Sequence, residues 1–302
     1  KISNNEDFTI NSVTVGKGAN SVTRNTVLGE SALDAAVTGG DNTAIGALTL
    51  TLNTSGAYNT AVGSAALDAN TTGGTNVAIG QGSLSSNTTA SNNTAVGSGS
   101  MNQNTTGPNN TAVGYNALTA NTDGSYNTAL GDRACYTQTS AGYNTGVGHA
   151  ALYANTTGGS NVATGALALD ANTTGGNNTA VGVSTLGANT TASDNTGVGR
   201  SALAANTTGT RNTAVGSYAL DANTTASDND AFGSYALSDN TTGTRNVGLG
   251  RSALQSNTTA NDNTAVGHEA LKVNTTGDLN TAVGSYAMQN SVNNDRNVAI
   301  GY

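Results

Sequence analysis

A pentad, Asn-Thr-Ala-Val-Gly or a close variant, recurs with a constant 17-residue period and no insertion or deletion. It starts at Asn25, Asn42, Asn59, Asn76 and Asn93 and keeps its register to Asn297, giving 17 copies. Self-similarity at a short fixed period marks a repeat architecture. No unit buries its apolar surface alone, so each stacks on its neighbours. The unit reads N-T-A-V-G-x-x-A-L-x-x-N-T-T-G-x-x, and its positions are numbered 1 to 17 below. The chain therefore divides into an irregular N-terminal cap, residues 1–24, and seventeen coils over residues 25–302, the last truncated.

Helix–turn–helix repeats need about 34 residues. The recurrent Gly, Asn and Thr are also poor helix formers. Two short strands of about 4–5 residues joined by tight turns fit the period, each coil advancing by one strand spacing of about 4.7–4.9 Å. The expected fold class is all-β, a parallel β-solenoid (β-roll) with 17-residue coils. Seventeen such coils would form a rod of roughly 80 Å.

Individual positions carry further expectations. Position 5 is Gly in every copy, as at Gly63, Gly80 and Gly97. That implies a positive-φ turn or close backbone approach. Position 1 is always Asn, as at Asn59, Asn76 and Asn93. Asn tolerates left-handed backbone, and its amide can form a ladder in a stack. Position 4 is Val, Ile or Leu except at Thr164 and Phe232, and position 9 is Leu except at Met101, Met288 and Cys135. These large residues are expected to fill the coil core, as Val62, Leu67, Ile79, Leu84, Val96 and Cys135. Position 3 lies on the other face of the strand and is small, as at Ala61, Ala78, Ala95 and Ala112. A core of about three large side chains per coil is thin. The small face is therefore expected to pack against copies of the chain in a parallel homo-oligomer.

Composition excludes several classes. Only 9% of residues are charged and 4% aromatic, with no Trp, 40 Gly and a single Pro. Such a chain cannot fill a thick globular core, yet its low charge is unlike ordinary disorder. The net charge is −8 with no basic stripe, so no nucleic-acid partner is expected. No apolar run is long enough to span a bilayer, so no membrane insertion is expected either. One cysteine excludes an internal disulfide framework and a CxxC metal site. The chain begins at Lys1 without Met and reads as a fragment or a middle piece.

No catalytic constellation emerges: there is no G-x-S-x-G elbow with suitable His and acid, and no phosphate-binding loop. The expectation is a non-enzyme with no cofactor, no metal and no catalytic residue. Cys135 reads as a small buried hydrophobe. His149 and His268 both occupy position 6, seven coils apart, and read as surface residues. Asp194, Asp228 and Asp262 recur at position 17. Without a D-x-D-x-D-G loop they read as solvated turn carboxylates rather than a calcium ladder. Tyr218, Tyr235 and Tyr286 share position 7, with Tyr115 and Tyr302 one position earlier. They suit either outer-surface packing or stacking against a glycan. The Asn-Thr-Thr runs match N-glycosylation sequons and are read as bare turns. Stacked Thr rows raise ice or regular-polysaccharide binding, although position 14 is interrupted by Ser55, Asp123, Ser140 and Asn293.

These motifs resemble two groups. The N-S-V-T-V-G of Asn11–Gly16, followed by K-G-A-N-S-V-T-R-N-T-V-L-G, resembles the repeats of trimeric autotransporter adhesin heads. The N-T-A-V-G-x-x-A-L-x-x-N-T-T-G array is similar to phage tail-fibre proteins, cyanobacterial phages in particular, over residues 11–302. The 17-residue period is longer than that of the adhesin heads and favours the tail-fibre group. The resemblance implies a left-handed β-roll, a parallel homotrimer, and a role as a virion fibre segment that spaces or attaches, with a host glycan among its contacts. Its partners would be its own copies and other virion or cell-surface structural proteins. Its location would be the virion or the cell surface. A bacterial surface adhesin head and an ice- or glycan-surface-binding solenoid are the alternatives.

Overall fold

The computed structural model describes residues 7–302. It is all-β and divides into two compact units, Lys1–Gly146 and Val147–Tyr302. Each unit is a parallel β-solenoid of 17-residue coils. Among the described residues no helix is long and apolar enough to cross a membrane.

The first unit opens with a hairpin of β1 (Phe8–Ile10) and β2 (Val13–Gly16), followed by a 3-10 turn at Ala19–Ser21. Strand β3 (Thr26–Gly29) starts the coils. One three-residue strand per coil follows: β4 (Thr43–Ile45), β5 (Thr60–Val62), β6 (Val77–Ile79), β7 (Thr94–Val96), β8 (Thr111–Val113) and β9 (Thr128–Leu130). Parallel pairing joins equivalent positions, as in Thr60↔Val77, Ala61↔Ala78 and Val62↔Ile79. The cap pairs antiparallel instead, with Val15↔Leu28 between β2 and β3 and Phe8↔Val15 between β1 and β2. Strand β10 (Thr145–Val147) lies at the unit boundary. In the second unit the same register runs from β11 (Val162–Thr164) to β19 (Val298–Ile300).

The expectation of two strands per coil is corrected to one strand of three. The reason is backbone conformation. Ala65, Leu67 and Thr75 take φ of 56°, 52° and 60°, and Gly63 takes 129°. A positive φ every few residues interrupts extended chain, so the rest of the coil is a series of bends. Left-handed backbone costs a non-glycine residue roughly 1–2 kcal/mol. Leu67 offsets that cost by full burial.

The bends stay hydrogen-bonded between coils. Around the coil that begins at Asn59, Thr60 N donates to Asn76 O (2.8 Å) and Gly63 N to Ile45 O (2.8 Å). Ala65 N donates to Ala47 O (2.9 Å), Leu67 N to Ser83 O (3.0 Å), Thr71 N to Thr88 O (2.8 Å) and Thr75 N to Ala57 O (2.9 Å). Each of these bonds joins the coil to the one before or the one after, so the ladder encircles the coil rather than stopping at the strand. Position 5 must be glycine for two reasons at once. Its φ is positive, and a Cβ on Gly97 would sit 2.3 Å from Gly114 O in the next coil.

The assignment of the two strand faces is reversed by the structure. Val62 and Val96 are only half-buried and Ile79 is 40% exposed, so these three are not coil core. Ala61, Ala78, Ala95 and Ala112 are fully buried inside the coil and cannot line an oligomer face. Leu67, Leu84 and Cys135 do lie fully inside. Space decides the matter. A Cβ built on Gly248, at position 3, would meet Leu237 Cδ1 at 3.4 Å; on Gly197 it would meet Thr185 Cγ2 at 2.6 Å and Leu186 Cδ1 at 3.6 Å. Positions 8 and 9 thus already fill the interior opposite the strand and leave room for little beyond a methyl, except in the first coil, where Val27 is buried at position 3.

Two substitutions test this arrangement by urea denaturation. Ala112→Val should overpack the coil and cost about 1–3 kcal/mol. Gly97→Ala should cost at least as much, because backbone strain of about 1–3 kcal/mol is joined by the clash with Gly114.

Candidate functional site

The repeat turns each position into a column, and four columns carry the chemistry. The first is inside. Asn59 N donates to Asn42 Oδ1 (3.0 Å) and Asn59 Nδ2 donates to Gly73 O (2.9 Å). Asn70, at position 12, donates from Nδ2 to Asn53 Oδ1 (2.8 Å) and to the same Gly73 O (2.9 Å). Two amide columns therefore converge on one carbonyl in each coil. Asn76 and Asn93 repeat the position 1 pattern. One part of the interior is thus a buried amide network, and the other is mainly Ala and Leu. The Asn residues of the sequon-like Asn-Thr-Thr runs, such as Asn70, Asn104 and Asn172, are fully buried in this network and inaccessible to modification in the folded coil. The position 12 column was missed in the sequence. Its near-constant Asn was the available signal.

The network also shows its own interruptions. Position 12 holds Gln138 in one coil, and Gln138 Nε2 donates to Ala141 O (3.2 Å). Asn121 Oδ1, one coil earlier, is left without a partner. Ser291 stands at position 12 near the end of the chain, and Asn274 Oδ1, one coil earlier, is likewise unpaired.

The second column is the outer strand face. Positions 2 and 4 present Thr and Val, Ile or Leu outward, with Leu130 46%, Phe232 39% and Leu249 47% exposed. In the first unit the aliphatic row runs through paired residues Leu28, Ile45, Val62 and Ile79. It continues onto the cap through Val15 and Phe8, both 46% exposed. The cap lacks the repeat, and its β2 runs antiparallel to the coil strands, yet it extends the same apolar row.

The third column is position 17. Arg24 pairs with Asp41 (2.6 Å), Arg211 with Asp228 (2.7 Å) and Arg245 with Asp262 (2.6 Å), each across one coil. Asp194 accepts from Asn177 Nδ2 (3.2 Å). The guanidinium beside Asp228 and the one beside Asp262 hold those carboxyls below the usual range. These groups are exposed, so the pairs add little stability. Among the described residues no cluster of His, Cys, Asp and Glu fits a metal ion. Tyr126 and Tyr143 share this column with stacked rings, centroids 5.1 Å apart.

The fourth is the corner after the turn glycine. Tyr218 and Tyr235 stack with centroids 5.4 Å apart. Arg200 lies over the Tyr218 ring at 5.7 Å. His268 meets Tyr286 edge-on at 5.1 Å, and Tyr286 meets Tyr302 the same way at 5.7 Å. Tyr115 and His149 occupy this corner in other coils, both at position 6. Cys135 is not reactive here, because burial pushes its thiol up to about 12.

The chain matches no protein-family model and no curated protein.

Two outcomes follow. Gln138→Asn should restore the amide column and give Asn121 Oδ1 its donor, adding about 1 kcal/mol in urea unfolding. Desolvation raises the carboxyls of Asp68, Asp170 and Asp221 above their ordinary 3.8. Protonation is thus favoured by folding, so their contribution is full below pH 3.8 and is lost as pH rises through the shifted values. Replacing all three by Asn should raise the melting temperature at pH 7 and leave it nearly unchanged at pH 3.

Proposed function

We propose that this chain is a non-enzymatic structural segment of a fibre or surface appendage, assembled from parallel copies of itself through the outer Thr-x-Val face. The carrying observation is the outward-facing aliphatic row of the first unit, half-buried to exposed, which Val15 and Phe8 continue onto a cap of different sequence. An apolar row of this length on a protein's surface points to a protein partner. A second copy suits it best, because an identical solenoid presents the same row at the same pitch. Position 4 is uncharged in every coil, which removes the main cost of burying it.

The rest of the surface supports a scaffold rather than a reaction centre, since each coil repeats nearly the same chemistry. The resemblance of the array to phage tail fibres favours a virion fibre that spaces or attaches, assembled as a trimer. A bacterial surface adhesin is the second setting on the same grounds.

Light scattering tests the assembly. The chain weighs 29.6 kDa, and a multiple of that mass is expected at micromolar concentration. Val62→Lys combined with Val96→Lys should return the monomer while preserving the β-sheet circular dichroism signal. A wild-type monomer, or an assembly indifferent to both lysines, would refute the proposal.

A further inference from the structure

Four consecutive coils of the second unit carry Arg200, Tyr218, Tyr235 and Arg251 at the corner after the turn glycine. The two rings stack, interplanar angle 11°, and Arg200 covers the Tyr218 face. One strand spacing per coil puts the two arginine positions roughly 14 Å apart along the column. Both arginines are exposed.

Their electrostatic situation is unlike that of the position 17 arginines. Arg24, Arg211 and Arg245 each grip an aspartate one coil on. Arg200 and Arg251 have no acidic partner among the described residues, in a chain whose acids outnumber its bases 18 to 10. The one acid in the next coil of the corner, Glu269, is already held by Lys272 at 3.0 Å and by Gln289. Two uncompensated guanidiniums thus bracket a pair of aromatic rings, with Ser217, Ser234 and Ser252 interleaved.

We infer that this Arg-Tyr-Tyr-Arg ladder is a binding site for a linear acidic polysaccharide lying along the column. Guanidinium groups take carboxylate or sulfate oxygens through paired N–H donors. The Tyr218 faces are taken by Arg200 and Tyr235, so the tyrosines offer a sugar chain their ring edges and hydroxyls. An extended pyranose chain advances by nearly one coil per sugar, so acidic groups three sugars apart reach both arginines. Single-stranded nucleic acid shares the chemistry of stacking plus phosphate. It is disfavoured because the Tyr218 ring lies between Arg200 and Tyr235 and offers no free face to a base. The ladder lies across the turn glycine from the strand face and does not depend on the assembly proposed above.

Affinity electrophoresis of the full chain tests the site. The gels contain polygalacturonate or alginate (carboxylated), carrageenan (sulfated), or neutral dextran, and a labelled oligothymidylate is titrated separately. Retardation by at least one acidic polysaccharide and not by dextran is expected, the two acidic arms telling carboxylate from sulfate. Arg200→Ala with Arg251→Ala should weaken that binding at least tenfold, and Tyr218→Ala with Tyr235→Ala should weaken it similarly. Arg211→Ala with Arg245→Ala, which removes equal charge from position 17, should change it less than twofold. Circular dichroism melts confirm that each variant is folded, and light scattering reports assembly independently. Absence of retardation, equal loss in the two arginine pairs, or tighter binding to oligothymidylate than to every polysaccharide would overturn the assignment.

Discussion

The structure depends on one constraint: backbone donors and acceptors on every side of the coil must meet counterparts one coil away. In the coil from Asn59, such inter-coil bonds recur at positions 2, 5, 7, 9, 13 and 17. That pairing fixes the 17-residue period and tolerates no insertion. It also explains how a thin core suffices. Apolar burial per coil is modest, but in the coil from Asn59 most backbone N–H groups find an acceptor, and the two Asn columns bond from coil to coil and to interior carbonyls. A buried network of this kind stabilises only when complete. Gln138 and Ser291 show the local penalty, each leaving an amide oxygen unpaired one coil earlier.

Much of this was legible in the sequence. The period, the invariant glycines and the Asn column follow from recurrence alone, because stacking forces equivalent residues into equivalent surroundings. The strand faces were not legible. Alternation separates Ala61 from Val62 but does not say which faces in. Size suggested that Val fills the core. The deciding quantity is the space left by Leu at position 9 and its small neighbour at position 8, and no periodicity reports it. The left-handed leucines were also hidden, since local preference opposes them and only burial in the assembled coil compensates.

The same reversal changes how the surface is read. With small residues on the inner strand face, each coil turns its position 4 aliphatic side chain outward, and the interior keeps a uniform cross-section set by Ala, Leu and Asn. Variation is then confined to corners and turns, where charge and aromatic residues collect. Arg200, Tyr218, Tyr235 and Arg251 belong to that variable set, as do the Arg–Asp pairs of position 17. The solenoid thus separates a constant scaffold from a corner that can be rewritten without touching the core.

A closed ladder with identical rungs also makes length a discrete quantity. Removing one whole coil within a unit joins two surfaces that already fit, because each Asn, Gly and Leu finds the same neighbour it lost. Removing any other stretch of chain would shift every column out of phase. Unequal recombination between the repeats in the gene would therefore yield folded descendants that differ by whole steps of about 4.8 Å per coil. Reach becomes a trait that selection can adjust one notch at a time.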